Sequence, residues 1–237
     1  MSLYDNITSD VQDIIDTHWS IREGRVVPST QDVALSGGAV ELDATFLYAD
    51  LAASSKMAKE LDRRVAAKIM KSFLATSCRL IKSLGGTIQS FDGDRVMGVF
   101  VGDSKNSNAA KCALQINYVV KEIIKTKFER KYDSIKNASF DIRHGVGVDT
   151  GTVITVRAGA RGSNDLIWIG RAPNLAAKLS DLRETPYHSF ITASVYNKLR
   201  DESKYGGKDK KDMWESKIWN FLDDNIRIYR SKWHWKP

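Results

Sequence analysis

The apolar positions of the chain change period from segment to segment. ELDATFLYAD (41–50) is a buried-type apolar run of strand length that closes on an acid. Beyond it Met57, Leu61, Val65, Ile69 and Phe73, then Leu80 and Leu84, recur at spacings of four and seven, the period of a helix that Gly85-Gly86 stops. TIQSF and RVMGVFV flank Asp92-Gly93-Asp94. An Asp-Gly pair between strand-like runs predicts a tight hairpin, because glycine accepts the positive φ that such a turn demands. Ala113, Ile116, Val120, Ile123 and Ile124 mark a second amphipathic helix. Phe140, Ile142, His144, Val146 and Val148 alternate as a strand, with a turn expected at Asp149-Thr150-Gly151 and a return through TVITVRA.

The order strand, helix, hairpin, helix, strand, strand predicts an α+β fold with a ferredoxin-like βαββαβ core and helices on one face of its sheet. A C-terminal α/β extension follows. It comprises a polar loop (GARGSND), a short apolar LIWIG, a helix over APNLAAKLSDL, a strand–helix pair at 189–200 and a Trp-rich hairpin, with the KWHWKP tail read as an amphipathic edge strand. Residues 1–39 are expected to form an N-terminal helix and an extended arm, and 40–237 the compact domain.

Composition narrows the function classes only a little. The 237 residues are 42% hydrophobic and 27% charged, as in ordinary soluble domains, and no apolar run is long enough for a membrane span. The N-terminus carries acids where a signal peptide carries bases, and Cys78 and Cys112 have no metal or redox spacing, so a reducing, cytoplasmic setting is expected. A net charge of +7 suits a polyanion, which nucleic acid and a nucleoside triphosphate both are. Nucleic acid is the weaker reading: Phe46, Phe91 and Phe100 sit in apolar runs, whereas sheets that bind RNA display aromatics. The four histidines form no ligand-like cluster in the sequence.

Chemistry enters through Asp94, an acid the hairpin turn does not need. In a ferredoxin-like sheet it opens the strand antiparallel to the one that Asp50 closes. Two carboxylates at neighbouring strand ends repel unless a cation sits between them, and oxygen-only ligands favour Mg²⁺ or Mn²⁺ shared with phosphates. On spacing alone, two exposed turn acids remain the alternative.

FLYADLA, SFDGDRVMGVF, HGVGVDTG and IGRAPNLAAKL, in this order and at these distances, resemble the catalytic domain of class III nucleotidyl cyclases over roughly residues 42–199. The resemblance implies that Asp50, Asp94 and the backbone carbonyl of Leu51 hold two divalent cations, Mn²⁺ or Mg²⁺. It also implies that Asn174 orients the ribose, and that Lys178, where the family has arginine, stabilises the transition state. Arg161 is a candidate to assist at the phosphates. The family further implies a homodimer with two active sites at its interface, one protomer supplying the carboxylates and the other the Asn and basic pair.

The two positions at which adenylate and guanylate cyclases read the base hold Ser90 and Ile167 here, so neither purine pattern is present. Tyr48, on the same strand face as Asp50, could narrow the pocket toward a smaller base. The arm and first strand, together with the single-domain layout, resemble the pyrimidine cyclases of bacterial Pycsar anti-phage systems. That resemblance implies conversion of UTP to cyclic UMP, read by a separate cyclic-nucleotide effector, without nucleic acid or a membrane span. A cytidylate cyclase, a purine cyclase and a catalytically inactive cyclase-like module are the alternatives, in that order.

Overall fold

The computed structural model describes residues 2–160 and 162–237. Helix α1 (Leu3–Asp16) starts on a reciprocal cap: Ser2 Oγ accepts from the Asp5 amide at 3.1 Å, and Asp5 Oδ2 accepts from the Ser2 amide at 2.8 Å. None of its residues is buried. Strand β1 (Ser20–Glu23) runs parallel to the start of β2 (Gly38–Leu51). Next come α2 (Ser54–Glu60), α3 (Arg63–Ser83), β3 (Thr87–Asp92), β4 (Arg95–Phe100) and α4 (Lys105–Tyr118). The last continues through a π-helical stretch at Val119–Lys125 into α5 (Thr126–Lys131) and a short α6 (Asp133–Lys136). The long β5 (His144–Ala160), β6 (Ser163–Ile169) and α7 (Arg171–Ser180) complete the part that carries the site. The C-terminal extension holds β7 (Ser189–Thr192), α8 (Ala193–Tyr196), α9 (Asp201–Lys204), a small pair formed by β8 (Tyr205–Gly206) and β9 (Lys211–Asp212), and the hairpin of β10 (Glu215–Phe221) and β11 (Asp224–Ser231).

The main sheet runs β10-β11-β7-β5-β2-β4-β3, with β1 beside β2 and β6 beside β5. Its β5-β2-β4-β3 part, visited in chain order β2-α3-β3-β4-α4-β5, is the expected ferredoxin-like unit, and each neighbouring pair within it is antiparallel. Beyond the exposed Glu41 and Asp43, both faces of β2 are buried from Ala44 to Leu51 except for the half-buried Tyr48, which is why that stretch reads as an apolar run. Leu47, Ala49 and Leu51 join the core under α3 and α4 with Ile69, Phe73, Phe100 and Ile116. Leu42, Ala44 and Phe46 join a second core with Met97, Ala172 and Ala176.

That second core corrects the expectation of helices on one face: α7 covers the opposite face. Its apolar residues Ala172, Leu175, Ala176 and Leu179 are buried, and Gly145 and Gly147 let it lie directly on β5. A Cβ at Gly147 would run into the Ala176 carbonyl and lie 2.5 Å from the Ser180 amide. Gly147→Ala is therefore expected to cost about 1–3 kcal/mol. Thermal unfolding should show a fall of several degrees, and an unchanged melting temperature would contradict the close packing.

The turn expected at Asp149-Thr150-Gly151 does not form. β5 continues through it, pairing these residues with Phe46, Thr45 and Ala44. Turn-type polar groups are tolerated there because the interior satisfies them. Thr192 Oγ1 donates to Asp149 Oδ1 at 2.5 Å, and Thr150 Oγ1 donates to the Ala44 carbonyl at 3.2 Å. The KWHWKP tail is likewise no edge strand. Trp233 and Trp235 pack on the first core, the Trp235 amide donates to the Leu114 carbonyl at 3.0 Å, and Asn117 Nδ2 donates to the Trp233 carbonyl at 2.8 Å.

Candidate active site

Asp50 is the last residue but one of β2 and pairs in register with Arg95 of β4, so Asp94 lies immediately beside it. The Leu51 amide donates to the Asp94 carbonyl at 3.4 Å. Asp50, Leu51 and Asp94 all line one cavity of about 620 Å³. Arg95, Arg143, Arg183 and Lys56 line the same cavity, together with Asp141 and Glu184, each of which is paired with cations of its own, so cationic side chains stand around the Asp50–Asp94 pair. The chain enters α2 at the cavity edge through Ala53, whose φ of +62° is left-handed, a conformation that disfavours residues with a Cβ.

The Asp50 side chain is only 10% exposed. Arg183 Nη2 donates to its Oδ2, and Arg95 Nε donates to its Oδ1 at 3.5 Å. Burial raises the Asp50 pKa above the ordinary aspartate value. The two guanidiniums pull it back only in part, and the neighbouring Asp94 pushes it up further. Oδ2 of Asp94 is buried with no hydrogen-bond partner. A buried, unpartnered carboxylate oxygen beside a second carboxylate fits a hard divalent cation, which takes oxygen donors. Among the described residues no cluster of three His, Cys, Asp or Glu side chains forms a closed metal cage. Further donors would be the Leu51 carbonyl, water and a substrate's phosphates. His144, at the cavity wall, is stacked on His188 with ring centroids 5.1 Å apart, and burial drives its pKa far down, so it adds no charge.

Tyr48 of β2 stands opposite Met97 of β4, which stands opposite Ser90 of β3. The three form a row across adjacent strands, on the face that carries Asp50. Asp50 lies two residues along from Tyr48, about 7 Å at strand rise. Tyr48 and Ser90 are part-buried, Met97 is buried, and none of the three lines the carboxylate cavity; Ser90 Oγ lies 3.8 Å from Met97 Sδ. Met97 reads as plain core in the sequence, and only the register places it between the other two.

The remaining candidates lie elsewhere. Asn174 and Lys178 sit exposed on one face of α7, and neither lines the carboxylate cavity. Asn174 Nδ2 donates to the Gly170 carbonyl at 3.3 Å. Ile167 of β6 is 46% exposed and pairs with Val156, whereas Asp50 pairs with Gly145 at the other end of β5. Eleven residues of strand separate those two points, about 35 Å. Arg161 falls outside the described residues. Arg183 carries no signal in the sequence, because its contact with Asp50 joins residues 133 positions apart and leaves no periodic pattern. Phe46 and Phe100 are fully buried as expected, but Phe91, on the edge strand β3, is 58% exposed.

No protein-family model matches the chain. Three curated proteins align along its whole length, each named uridylate cyclase. The one from Rhodovulum sp. (strain MB263) is 61% identical, with 100% of this chain and 99% of the relative covered. The one from Xanthomonas perforans is 41% identical with the same coverage, and the one from Burkholderia cepacia is 43% identical over 99% of each chain. Among solved structures, the adenylyl cyclase CyaB from P. aeruginosa superposes with a TM-score of 0.66 at 18% identity, covering 81% of this chain and 95% of its own. The guanylyl cyclase Cya2 gives the same TM-score at 16% identity over 83% and 95%. At such identities these likenesses show the fold, that of the nucleotidyl cyclases.

Proposed function

The chain belongs to the uridylate cyclase family, and we propose from that membership that it converts UTP to 3′,5′-cyclic UMP and pyrophosphate at a site shared by two copies. One observation carries the chemistry: Asp50 and Asp94 meet in a cation-rimmed cavity where Asp94 Oδ2 has no partner. Two Mn²⁺ or Mg²⁺ ions bound to these carboxylates and the Leu51 carbonyl would supply Lewis acidity to the ribose 3′-oxygen and neutralise the triphosphate. The chain's own groups do the rest. The cationic rim holds the polyphosphate, Asn174 orients the ribose, and Lys178, one helical turn on, faces the charge that gathers on the α-phosphate. The 3′-oxygen bonds to the α-phosphorus as the bridge to the β-phosphate breaks. Its proton passes to solvent, and pyrophosphate leaves with the bridging oxygen. Lysine supplies charge without a two-point fork, so Arg161 at the phosphates would complement it.

The row Tyr48–Met97–Ser90 is the base pocket of this reading. It lies one strand repeat from Asp50, and in this reading the Tyr48 ring would take the space of a purine's second ring. Tyr48→Ala is expected to raise turnover of ATP and GTP relative to UTP by about tenfold or more, since pocket volume alone discriminates over about that range. Initial rates of pyrophosphate release with each of the four triphosphates, for wild type and variant, test both the base preference and the pocket. Equal UTP preference in the two proteins would remove Tyr48 from the pocket.

Two copies are proposed because Asn174, Lys178 and Ile167 of one chain do not line the cavity that holds its Asp50 and Asp94. Apolar surface for an interface is present: α1 exposes Leu3, Ile7, Val11 and Ile14, and β6 exposes Ile167 and Ile169. Among the described residues no helix is long and apolar enough to cross a membrane. The reading places the reaction in the cytoplasm, with the cyclic nucleotide as a signal in anti-phage defence, sensed by a separate effector.

A further inference from the structure

Arg183 lies beyond the end of α7, where its guanidinium reaches across Gly145 to Asp50. Gly145 is the β5 residue opposite Asp50 in the sheet, and a Cβ there would stand 2.6 Å from Arg183 Nη1. The approach therefore depends on glycine at that position. Two cationic groups touch the Asp50 carboxylate, and they are held differently. Arg95 is tethered to a second acid, Asp181, through Nη2 at 2.5 Å. Arg183 has Asp50 as its acidic partner and otherwise donates only to the carbonyls of Ser180 and Leu182, among the described residues. Its side chain is 38% exposed and already lines the cavity.

We propose that Arg183 is a partner-exchanging arginine. In the resting site it stands in for the divalent cation as the counter-charge of Asp50, and in the loaded site it turns to the substrate triphosphate. The inference rests on the reading of this cavity as the metal–triphosphate site. A cation at Asp50 would face the guanidinium at contact distance, so the two compete for one carboxylate. Of the two arginines, Arg183 is the one without a second acid to hold it. Once displaced it remains in the cavity, and its planar fork matches two phosphate oxygens. The exchange makes cation and nucleotide assist each other: each relieves the cost that the other meets alone.

The test is Arg183→Ala and Arg183→Lys, with Mn²⁺ binding followed by electron paramagnetic resonance without nucleotide and KM for UTP measured separately. Removing the competing cation should tighten nucleotide-free Mn²⁺ binding by about fivefold or more, while KM for UTP rises by about tenfold, within the usual range of such couplings. Arg183→Lys keeps the charge but not the fork, so its Mn²⁺ affinity should stay near wild type while KM still rises. Weaker or unchanged Mn²⁺ binding in Arg183→Ala would overturn the exchange. So would a wild-type KM in Arg183→Lys, the variant that serves if Arg183→Ala fails to fold. A wild-type protein that turns over no triphosphate would instead overturn the reading of the site.

Discussion

Asp94→Asn is expected to lower cyclic nucleotide formation by at least about a thousandfold while leaving the fold as stable as before. A thousandfold corresponds to about 4 kcal/mol of lost transition-state stabilisation. That is the scale of removing one preorganised electrostatic group from a charge-transfer site. The stability half of the expectation comes from Asp94 itself. Its Oδ2 is buried without a partner, and its charge pushes up the pKa of Asp50. Asparagine removes the repulsion and offers an amide that can donate to Asp50. The metal-free variant should therefore melt no lower than wild type. A ligand that binds only the folded state raises its melting temperature. Mn²⁺ should produce that rise in wild type and much less of it in Asp94→Asn. An active Asp94→Asn protein, or an equal Mn²⁺-induced rise, would show that Asp94 is a turn acid after all.

Mixing two inactive proteins should restore activity. Asp94→Asn spoils the carboxylate half of a site, and Lys178→Ala spoils the half carried by α7. If the halves meet across a dimer, a mixed dimer keeps one intact site, made of Asp94 from one copy and Lys178 from the other. Equimolar mixing with free exchange makes half of the dimers mixed, each with one working site of two, so about a quarter of wild-type activity should return. No return after verified subunit exchange would mean that both halves act within a single chain. Lys178 is exposed on α7 and does not line the cavity that holds Asp50 and Asp94.

What could be read from the sequence followed the reach of local signals. The strand that carries Asp50 and the Asp92-Gly93 hairpin are fixed by neighbours in the chain, and they stand as expected. The single helix expected from Met57 to Leu84 is instead broken at Leu61-Asp62 into α2 and α3, because Asp62 starts a new helix by accepting from the Arg64 amide at 2.9 Å. Adjacency of Asp50 and Asp94 followed because the ferredoxin-like order puts those two strands side by side. Asp149-Thr150-Gly151 misled because turn chemistry is local, whereas the bonds that keep it in a strand come from Thr192 and Ala44, far along the chain. The placement of α7 on the second face depends on Gly145 and Gly147, which as isolated residues read only as weak points in a strand. Arg183 was invisible for the same reason: a single arginine after a helix carries no pattern, and its importance comes from the acid it reaches.

The most direct test of the account is the product itself. Purified protein incubated with equimolar UTP, CTP, ATP and GTP and Mn²⁺, with the cyclic products separated and identified by mass spectrometry, should yield cyclic UMP as the dominant species. The same mixture with Asp94→Asn should yield essentially none. Dominant cyclic AMP or cyclic GMP would contradict the base pocket of Tyr48, Met97 and Ser90, and the absence of any cyclic nucleotide would contradict the active site at Asp50 and Asp94.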